Sequence, residues 1–406
     1  MTSPAGAPLR DDDVVLAGAV RTPIGRFGGS LSGLTAAQLG AAAAREALSR
    51  ARVRPEDLSE GVFGGARQAG GGPNVARQVG WRAGAPPAVP AFTVNKACGS
   101  GLKSILLAAQ AIRAGDASIV LAGGTESMSR VPYLLDQARW GIKMGNAPVI
   151  DGMYRDGFLC PLCDQLMGET AETLADRYGI GRAEQDRYAA LSQNRAESAR
   201  REGRFAAEIV PVETGSKRRD VPAVLDRDEH PRDGVTPEGL ASLPPVFREG
   251  GTVHAGNSSG ITDGAAAVVV MTAREARRRG SAPIFRLVAH ATAGVEPGIM
   301  GIGPIPAVRS LLERAGIPLA DIDLVELNEA FAAQVLACAR ELAIDLDRLN
   351  VNGGSIALGH PIGASGARVV VTLVHEMARR RARLGLATLC ISGGMGIAAL
   401  LERVEA

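Results

Sequence analysis

Few residues in this chain are placed to do covalent chemistry, and a cysteine comes first. In Asn95-Lys-Ala-Cys98-Gly-Ser-Gly-Leu the thiol stands just ahead of a long apolar-periodic segment. That segment predicts a helix starting near Ser100, and Gly99 and Gly101 keep the turn free of Cβ clashes. A thiol there meets unsatisfied backbone N–H groups and the positive end of a helix dipole, which both favour the thiolate. The functional reading is a nucleophile; the plain one is a small buried hydrophobe. His360 lies in the charge-poor turn Ala357-Leu-Gly-His360-Pro-Ile-Gly-Ala-Ser-Gly366, before another expected helix. It suits a base that activates a thiol; the alternative is a hydrogen-bonded structural histidine. Cys390 ends a strand-like run in Leu389-Cys390-Ile-Ser-Gly-Gly-Met-Gly396, and Asn328 follows the strand-like Asp323 to Leu327. His230 and His375 lie in polar surroundings without such context, and His254 borders the glycine-rich Ala255 to Gly260 with both readings open.

Elements must bring these residues together. Asp13 to Val20 reads as a buried strand, Thr35 to Arg50 as a helix with Thr35 as N-cap, and Glu60 to Gly65 as a short strand. Gly70 to Pro73 lacks the Lys-Ser/Thr of a P-loop and the spacing of a dinucleotide fingerprint, so it reads as a loop. The Cys98 helix and the strand Ala117 to Gly124 follow. This alternation argues an α/β protein with a substantially parallel, buried sheet. From about Arg130 the texture changes. Pro132, Pro148 and Pro161 interrupt the chain, helices are expected near Glu169 to Tyr178 and Ala183 to Glu202, and Lys217-Arg218-Arg219 reads as polar loop. Residues 130–260 therefore read as an inserted, mostly irregular domain.

The end of the chain repeats its beginning. Ala51 to Val62 resembles Ala315 to Val325, Ser100-Gly101 resembles Ser365-Gly366, and Ser118 to Gly124 resembles Thr388 to Gly394, in one order at a nearly constant offset. Two similar halves follow: 1–129 plus 261–282, and 283–406. A pseudo-twofold would bring equivalent helix starts and strand ends toward each other, with a site at the join.

Composition narrows the function. Of 406 residues 46% are apolar but only 3% aromatic, so the cores are built from Ala, Val, Leu and Ile. A net charge of +2 demands neither nucleic acid nor a membrane surface. No run is long enough to span a bilayer, no targeting segment is evident, and five irregularly spaced cysteines make no disulfide framework. The expectation is a soluble cytoplasmic protein without a metal. Cys160-Pro-Leu-Cys163 has no matching second pair and reads as structural rather than as a zinc half-site or redox pair.

At these residues the chain resembles the thiolases, acyl-CoA:acetyl-CoA C-acyltransferases. The resemblance runs from Val20-Arg-Thr-Pro-Ile-Gly-Arg-Phe27 through Gly123-Gly-Thr-Glu-Ser-Met-Ser129, Met167-Gly-Glu-Thr-Ala-Glu172, His254-Ala-Gly-Asn-Ser-Ser-Gly260 and Asn328-Glu-Ala-Phe331 to Gly359-His360-Pro-Ile-Gly-Ala-Ser-Gly366 and Cys390-Ile-Ser-Gly. It implies duplicated βαβαβαββ halves in an α-β-α-β-α layering, with the inserted loop domain, in a homo-oligomer (dimer or tetramer). It implies that Cys98 forms an acyl-enzyme with His360 as its base, and that Cys390 is the acid/base at the α-carbon. One oxyanion site would use His360 and a water on Asn328, the other the N–H groups of Cys98 and Ser392. No cofactor is implied; CoA, acetyl-CoA and acyl-CoA are the substrates. The pantetheine would lie near Phe158, Met167, Phe247, Ala255, Ser259, Met300, Ala330 and Phe331, with Arg232 toward the nucleotide. A related condensing synthase commonly has a second His or a Glu where this chain has Cys390. A non-catalytic acyl-CoA or lipid-binding relative would not need all four polar residues. The chain departs from the family pattern at Leu166, where short-chain biosynthetic members carry His, which leaves longer acyl chains open. It departs again at Ser392, usually Gly. Serine keeps the N–H but sits poorly at positive φ, so Ser392 is expected at φ < 0 with any left-handed residue on Gly393 or Gly394.

Overall fold

The computed structural model describes residues 5–216 and 220–404. The basic triplet Lys217-Arg218-Arg219 lies outside the described residues. The first half runs β1 (Val14–Arg21), α1 (Ala36–Arg50), β2 (Glu60–Gly64), α2 (Val75–Arg82), β3 (Ala91–Val94), α3 (Ser100–Ala114) and β4 (Ile119–Ser127). The intervening segment carries α4 (Met167–Tyr178) and α5 (Arg182–Arg201), and β5 (Thr262–Thr272) returns to the first half. The second half is β6 (Ile284–Gly294), α6 (Pro304–Ala315), β7 (Leu324–Leu327), α7 (Ala332–Leu342), α8 (Ile362–Arg380), β8 (Leu384–Ile391) and β9 (Met395–Val404). Local signals set several of these boundaries. Thr35 caps α1 in a reciprocal capping box with Gln38, a device worth about 1 kcal/mol. Gly115 ends α3 at φ +86°, where a side chain would be strained.

The strands form one sheet in the order β7-β8-β9-β6-β1-β5-β4-β2-β3. Counted outward from the β6/β1 junction, both halves read alike: β6-β9-β8-β7 and β1-β5-β4-β2. The junction is antiparallel, Val15 opposite Arg286 and Leu16 opposite Phe285, as a pseudo-twofold requires. In the second half the third strand shrinks to a single bridge, Val325 to Leu349.

The sheet is not substantially parallel. Only β2/β3, β2/β4 and β7/β8 run parallel; β1/β5, β4/β5, β6/β9 and β8/β9 are antiparallel. The three-residue turn between β8 and β9 permits nothing else. Apolar runs misled here because they report burial on both faces, which the helical layers impose whatever the strand direction.

Three cores define the layers. α1 and α2 cover one outer face, with Ala43, Ala47 and Val79 on Val15, Leu121 and Val269. α3 and α8 lie between the two halves of the sheet, with Leu102, Ile105, Val370 and Leu373 against Val120, Val268, Leu389 and Leu401. α6 and α7 close the other face, with Val308, Leu311 and Val335 on Leu386 and Leu400. The order is α-β-α-β-α. At the middle layer the duplicated Ser-Gly pairs meet. A Cβ on Gly101 would stand 2.6 Å from Ala367 N, and one on Gly366 would overlap Leu102 N. Two helices crossing this closely at their first turns bring the segments before them, and so Cys98 and His360, to one place.

The intervening segment is bolted to both halves by buried polar groups. Arg21 gives Nε to Glu208 at 2.6 Å and its other nitrogens to Asp228 at 2.7 and 2.9 Å. Glu329 accepts from Tyr188 and Ser192 of α5, both at 2.7 Å, and from Asn350 and the Ile356 N–H.

Candidate active site

Cys98 sits one residue before the α3 N-cap, after Ala97 at φ +43°. A left-handed alanine is strained, and short bonds hold it. The Ala97 N–H donates to Asn95 Oδ1 at 2.9 Å, and the Ser100 hydroxyl donates to the Ala97 carbonyl at 2.6 Å. The backbone N–H groups of Ser392 and of Cys98 itself favour the Cys98 thiolate. The expectation of a favoured thiolate does not hold at rest. Burial pushes the thiol up and outweighs the Ser392 N–H and the nearby Arg67 charge, which pull it down.

His360 is fixed from the other half. Its backbone N–H donates to the Gly260 carbonyl at 3.0 Å, and Gly359 precedes it at φ +99°, against Thr262. Nδ1 lies 2.5 Å from Ser365 Oγ, and that hydroxyl donates to the Pro361 carbonyl at 3.0 Å. The hydroxyl's single proton is thereby used, so Nδ1 carries the imidazole proton and Nε2 the lone pair. Nε2 is buried without a hydrogen-bond partner. Burial, then the charges of Arg368 and Arg67, push the imidazole down to about 3. The resting pair is thus a thiol and a neutral base.

Cys390 ends β8 on the apolar side of the same space, clustered with Met300, Ala330 and Phe331. Burial and the neighbouring Cys98 hold its thiol well above the ordinary value. Ser392 opens the β8–β9 turn, and the positive φ angles fall on Gly393 (+82°) and Gly394 (+81°), as expected. Asn328 lies deeper. Its Oδ1 accepts from Ser355 Oγ at 2.7 Å, Ser355 in turn accepts from Arg368 at 3.1 Å, and Asn328 Nδ2 is buried without a partner.

A cavity of about 360 Å³ collects these groups. Cys98, His360, Cys390 and Ser392 line it, and so do Phe158, Met167, Arg232, Phe247, Ala255, Ser259, Met300, Ala330 and Phe331. Asn328 does not reach its wall. The Phe247 and Phe331 rings meet edge-on at 6.2 Å, and Gly168 leaves room for Phe247.

Arg67, Tyr154, Leu166, His230, Val246 and Ile261 also line the cavity but were not singled out as contacts from sequence. His230 has polar neighbours in the sequence, which point to the surface. The segment folds inward because Asp228 binds Arg21, and His230 Nδ1 pairs with the Ala357 carbonyl at 2.8 Å. His254 bonds Asp186 at 2.7 Å and takes the Gly256 N–H on Nδ1; it shapes the turn that carries Ala255 and Ser259. Cys338 is buried and donates to the Gly301 carbonyl, a packing role. Cys160 and Cys163 are free thiols, the first at the end of a short hairpin strand and the second within its turn. Among the described residues no three His, Cys, Asp or Glu side chains are grouped as metal ligands, and no helix is long and apolar enough to cross a membrane.

Two family models cover the chain: the thiolase N-terminal domain over residues 14–274 and the thiolase C-terminal domain over 281–403. Acetyl-CoA acetyltransferase from Syntrophomonas wolfei is 52% identical over 394 residues, 96% of this chain and 99% of that protein. Its Escherichia coli K12 namesake is 50% identical over 392 residues, 96% and 99% of the two chains. The crystal structure of the Bacillus anthracis acetyl-CoA acetyltransferase superposes with a TM-score of 0.93 at 43% identity, covering 97% and 99%. Human mitochondrial 3-ketoacyl-CoA thiolase in complex with CoA gives 0.92 at 41%, covering 98% and 100%.

Proposed function

The chain belongs to the thiolase family and is an acyltransferase of that class, and we propose that it works through an acyl group carried on Cys98. The observation that supports this is one cavity holding two thiols and an imidazole whose Nε2 has no other partner. In thiolysis Cys98 Sγ adds to the 3-oxo carbonyl carbon while its proton passes to His360 Nε2. The C2–C3 bond then breaks, and the carbanion of the departing acetyl-CoA takes a proton from Cys390. The thiol of a free CoA next gives its proton to the Cys390 thiolate and displaces the acyl group from Cys98, whose thiolate takes back the proton held on His360. Condensation of acetyl-CoA is the reverse.

Each direction develops an oxyanion, and each well-aimed donor is worth a factor of ~10²–10³. The protonated His360 Nε2 and a water on the orphaned Asn328 Nδ2 would serve one oxyanion. The Cys98 and Ser392 N–H groups, which favour the Cys98 thiolate, would serve the other. Coenzyme A enters as substrate, its pantetheine along Met167, Phe247, Ala255, Ser259 and Phe331 and its phosphates toward Arg232. Residues 1–129 with 261–282, 130–260 and 283–406 then act as first half, substrate-covering insertion and second half. We place the enzyme in the cytoplasm, as a homo-oligomer of fatty-acid metabolism.

Separating the two thiols tests this reading. Cys390→Ala should still transfer acetyl from acetyl-CoA to Cys98, read as a mass increment on that peptide, yet exchange no α-protons of acetyl-CoA into deuterated water. Rapid exchange in Cys390→Ala, or an acetyl group kept on the same peptide in Cys98→Ala, sinks the assignment. Loss of acetoacetyl-CoA absorbance on adding CoA separates an enzyme from a binding protein of the same fold.

A further inference from the structure

The chemistry above leaves one charged side chain of the cavity without a task. Arg67 lines it together with Cys98 and Phe158. Its guanidinium carbon lies 5.8 Å from the centre of the Phe158 ring, and the group packs on Gly157, where a Cβ would overlap it. Arg67 Nε is buried without a hydrogen-bond partner. Among the described residues no carboxylate comes within 4.0 Å of the guanidinium.

The nearest acids are committed elsewhere. Glu126 feels the Arg67 charge, but its oxygens accept the backbone N–H groups of Ala66, Arg67 and Gly363, and Asp156 lies 3.4 Å from Arg155 Nε. The Arg67 charge is nonetheless felt at both Cys98 and His360, so it stands near the reacting sulfur. On its other side Arg67 borders a second cavity of about 350 Å³, with polar walls from Gln68, Asn95 and Asp156. Among the described residues no carboxylate side chain hydrogen-bonds the half-buried guanidinium, and an anionic ligand would supply that partner. A hydrocarbon acyl chain brings none.

We propose that Arg67 is the anion-recognising residue of the acyl subsite, and that the preferred 3-oxoacyl thioester ends its acyl chain in a carboxylate. This rests on the thiolase reading given above. In that reaction the group left on Cys98 when the C2–C3 bond breaks is the distal acyl half, not acetyl-CoA. A terminal carboxylate therefore stays in the cavity with Arg67 through both half-reactions, until the CoA thiol displaces it. Phe158 and the bare backbone of Gly157 pack on the guanidinium, whose planar fork suits a bidentate carboxylate.

3-Oxoadipyl-CoA and 3-oxohexanoyl-CoA test it, since they share chain length and the CoA phosphates and differ in the terminal carboxylate. Thiolysis of both is measured in the wild type, Arg67→Met and Arg67→Lys, with acetoacetyl-CoA as reference. The wild type should favour 3-oxoadipyl-CoA in kcat/KM. That preference should fall about ten- to hundredfold in Arg67→Met, the worth of a charge-assisted hydrogen bond. Arg67→Lys should keep part of it. If the wild type thiolyses acetoacetyl-CoA but handles 3-oxohexanoyl-CoA as well as 3-oxoadipyl-CoA, the inference is overturned and the thiolase reading stands. If it thiolyses none of the three, both fall. The wild-type ratio needs no variant, so a failure of Arg67→Met to fold does not shield the proposal.

Discussion

Burial drives the two partners of the proposed nucleophile to the same electrical state by opposite routes. It raises the Cys98 thiol and lowers the His360 imidazole, and both rest neutral. An ion pair formed in advance would waste the stabilisation that the Ser392 N–H and the orphaned Asn328 amide can give a developing oxyanion. Ser365 completes the arrangement by holding the proton on Nδ1 and leaving Nε2 as the only base. This carries a stability cost with a definite sign. His360 titrates near 3 in the folded chain and near 6.5 when unfolded. Between those values the unfolded chain binds the extra proton, so the His360 contribution is present above about pH 6.5 and is lost as pH falls toward 3. His360→Gln should therefore flatten the decline of Tm between about pH 7 and about pH 5. His290, lowered to about 4, pulls the same way in both proteins, so the difference between their slopes isolates His360. Parallel Tm slopes in the two proteins would mean that His360 is not held neutral by the fold.

At the scale of elements, the position of the site depends on two glycines. Gly101 and Gly366 let α3 and α8 touch backbone to backbone; a methyl at Gly101 has only main chain to push against, and one at Gly366 meets main chain and the Leu102 Cβ. Gly101→Ala and Gly366→Ala should each cost about 1–3 kcal/mol by overpacking, read as a lower denaturant midpoint. The double variant should cost less than the sum, because the first methyl already parts the helices. Additive losses would show that the two methyls strain separate places. Those glycines were legible in the sequence as a repeated Ser-Gly, which the structure places inside the starts of α3 and α8, and so were the Thr35 cap, the start of α3 and the alternation of elements. Each is written in neighbouring residues. The direction of the strands was not, since apolar runs encode burial and not polarity. The sequence also missed Arg67 and His230, which reach the cavity only through contacts far along the chain: Gly157 under one, the Asp228 to Arg21 bond behind the other. The raised thiol of Cys98 was hidden for a similar reason. The helix start that favours a thiolate is local, and the burial that opposes it comes from residues far along the chain, Ala66, Met128, Met153 and Ile362.

Over the whole molecule, duplication supplies a rigid frame and the intervening segment supplies most of the wall that a CoA substrate would touch. Cys98, His360 and Cys390 belong to the frame, at its helix starts and at the end of β8. Phe158, Met167, Arg232, Phe247, Ala255 and Ser259 belong to the segment. Stability and substrate binding are therefore joined where the segment is bolted down, and Asp228 is the place to see it. It accepts two bonds from the buried Arg21 and one from the Ile24 N–H at 2.8 Å. It also stands two and four residues ahead of His230 and Arg232, which line the cavity. Asp228→Asn keeps the shape and removes the charge that Arg21 requires, and breaking a buried pair in this way costs about 3–5 kcal/mol. Glu208→Gln removes the other carboxylate from Arg21 but leaves the chain ahead of His230 bonded as before. Both variants should lower Tm. Only Asp228→Asn should also raise KM for CoA severalfold, with kcat much less affected because the frame still holds the two thiols and the imidazole. A KM for CoA that stays put in Asp228→Asn, or rises equally in Glu208→Gln, would separate the anchor from the binding wall and refute the coupling.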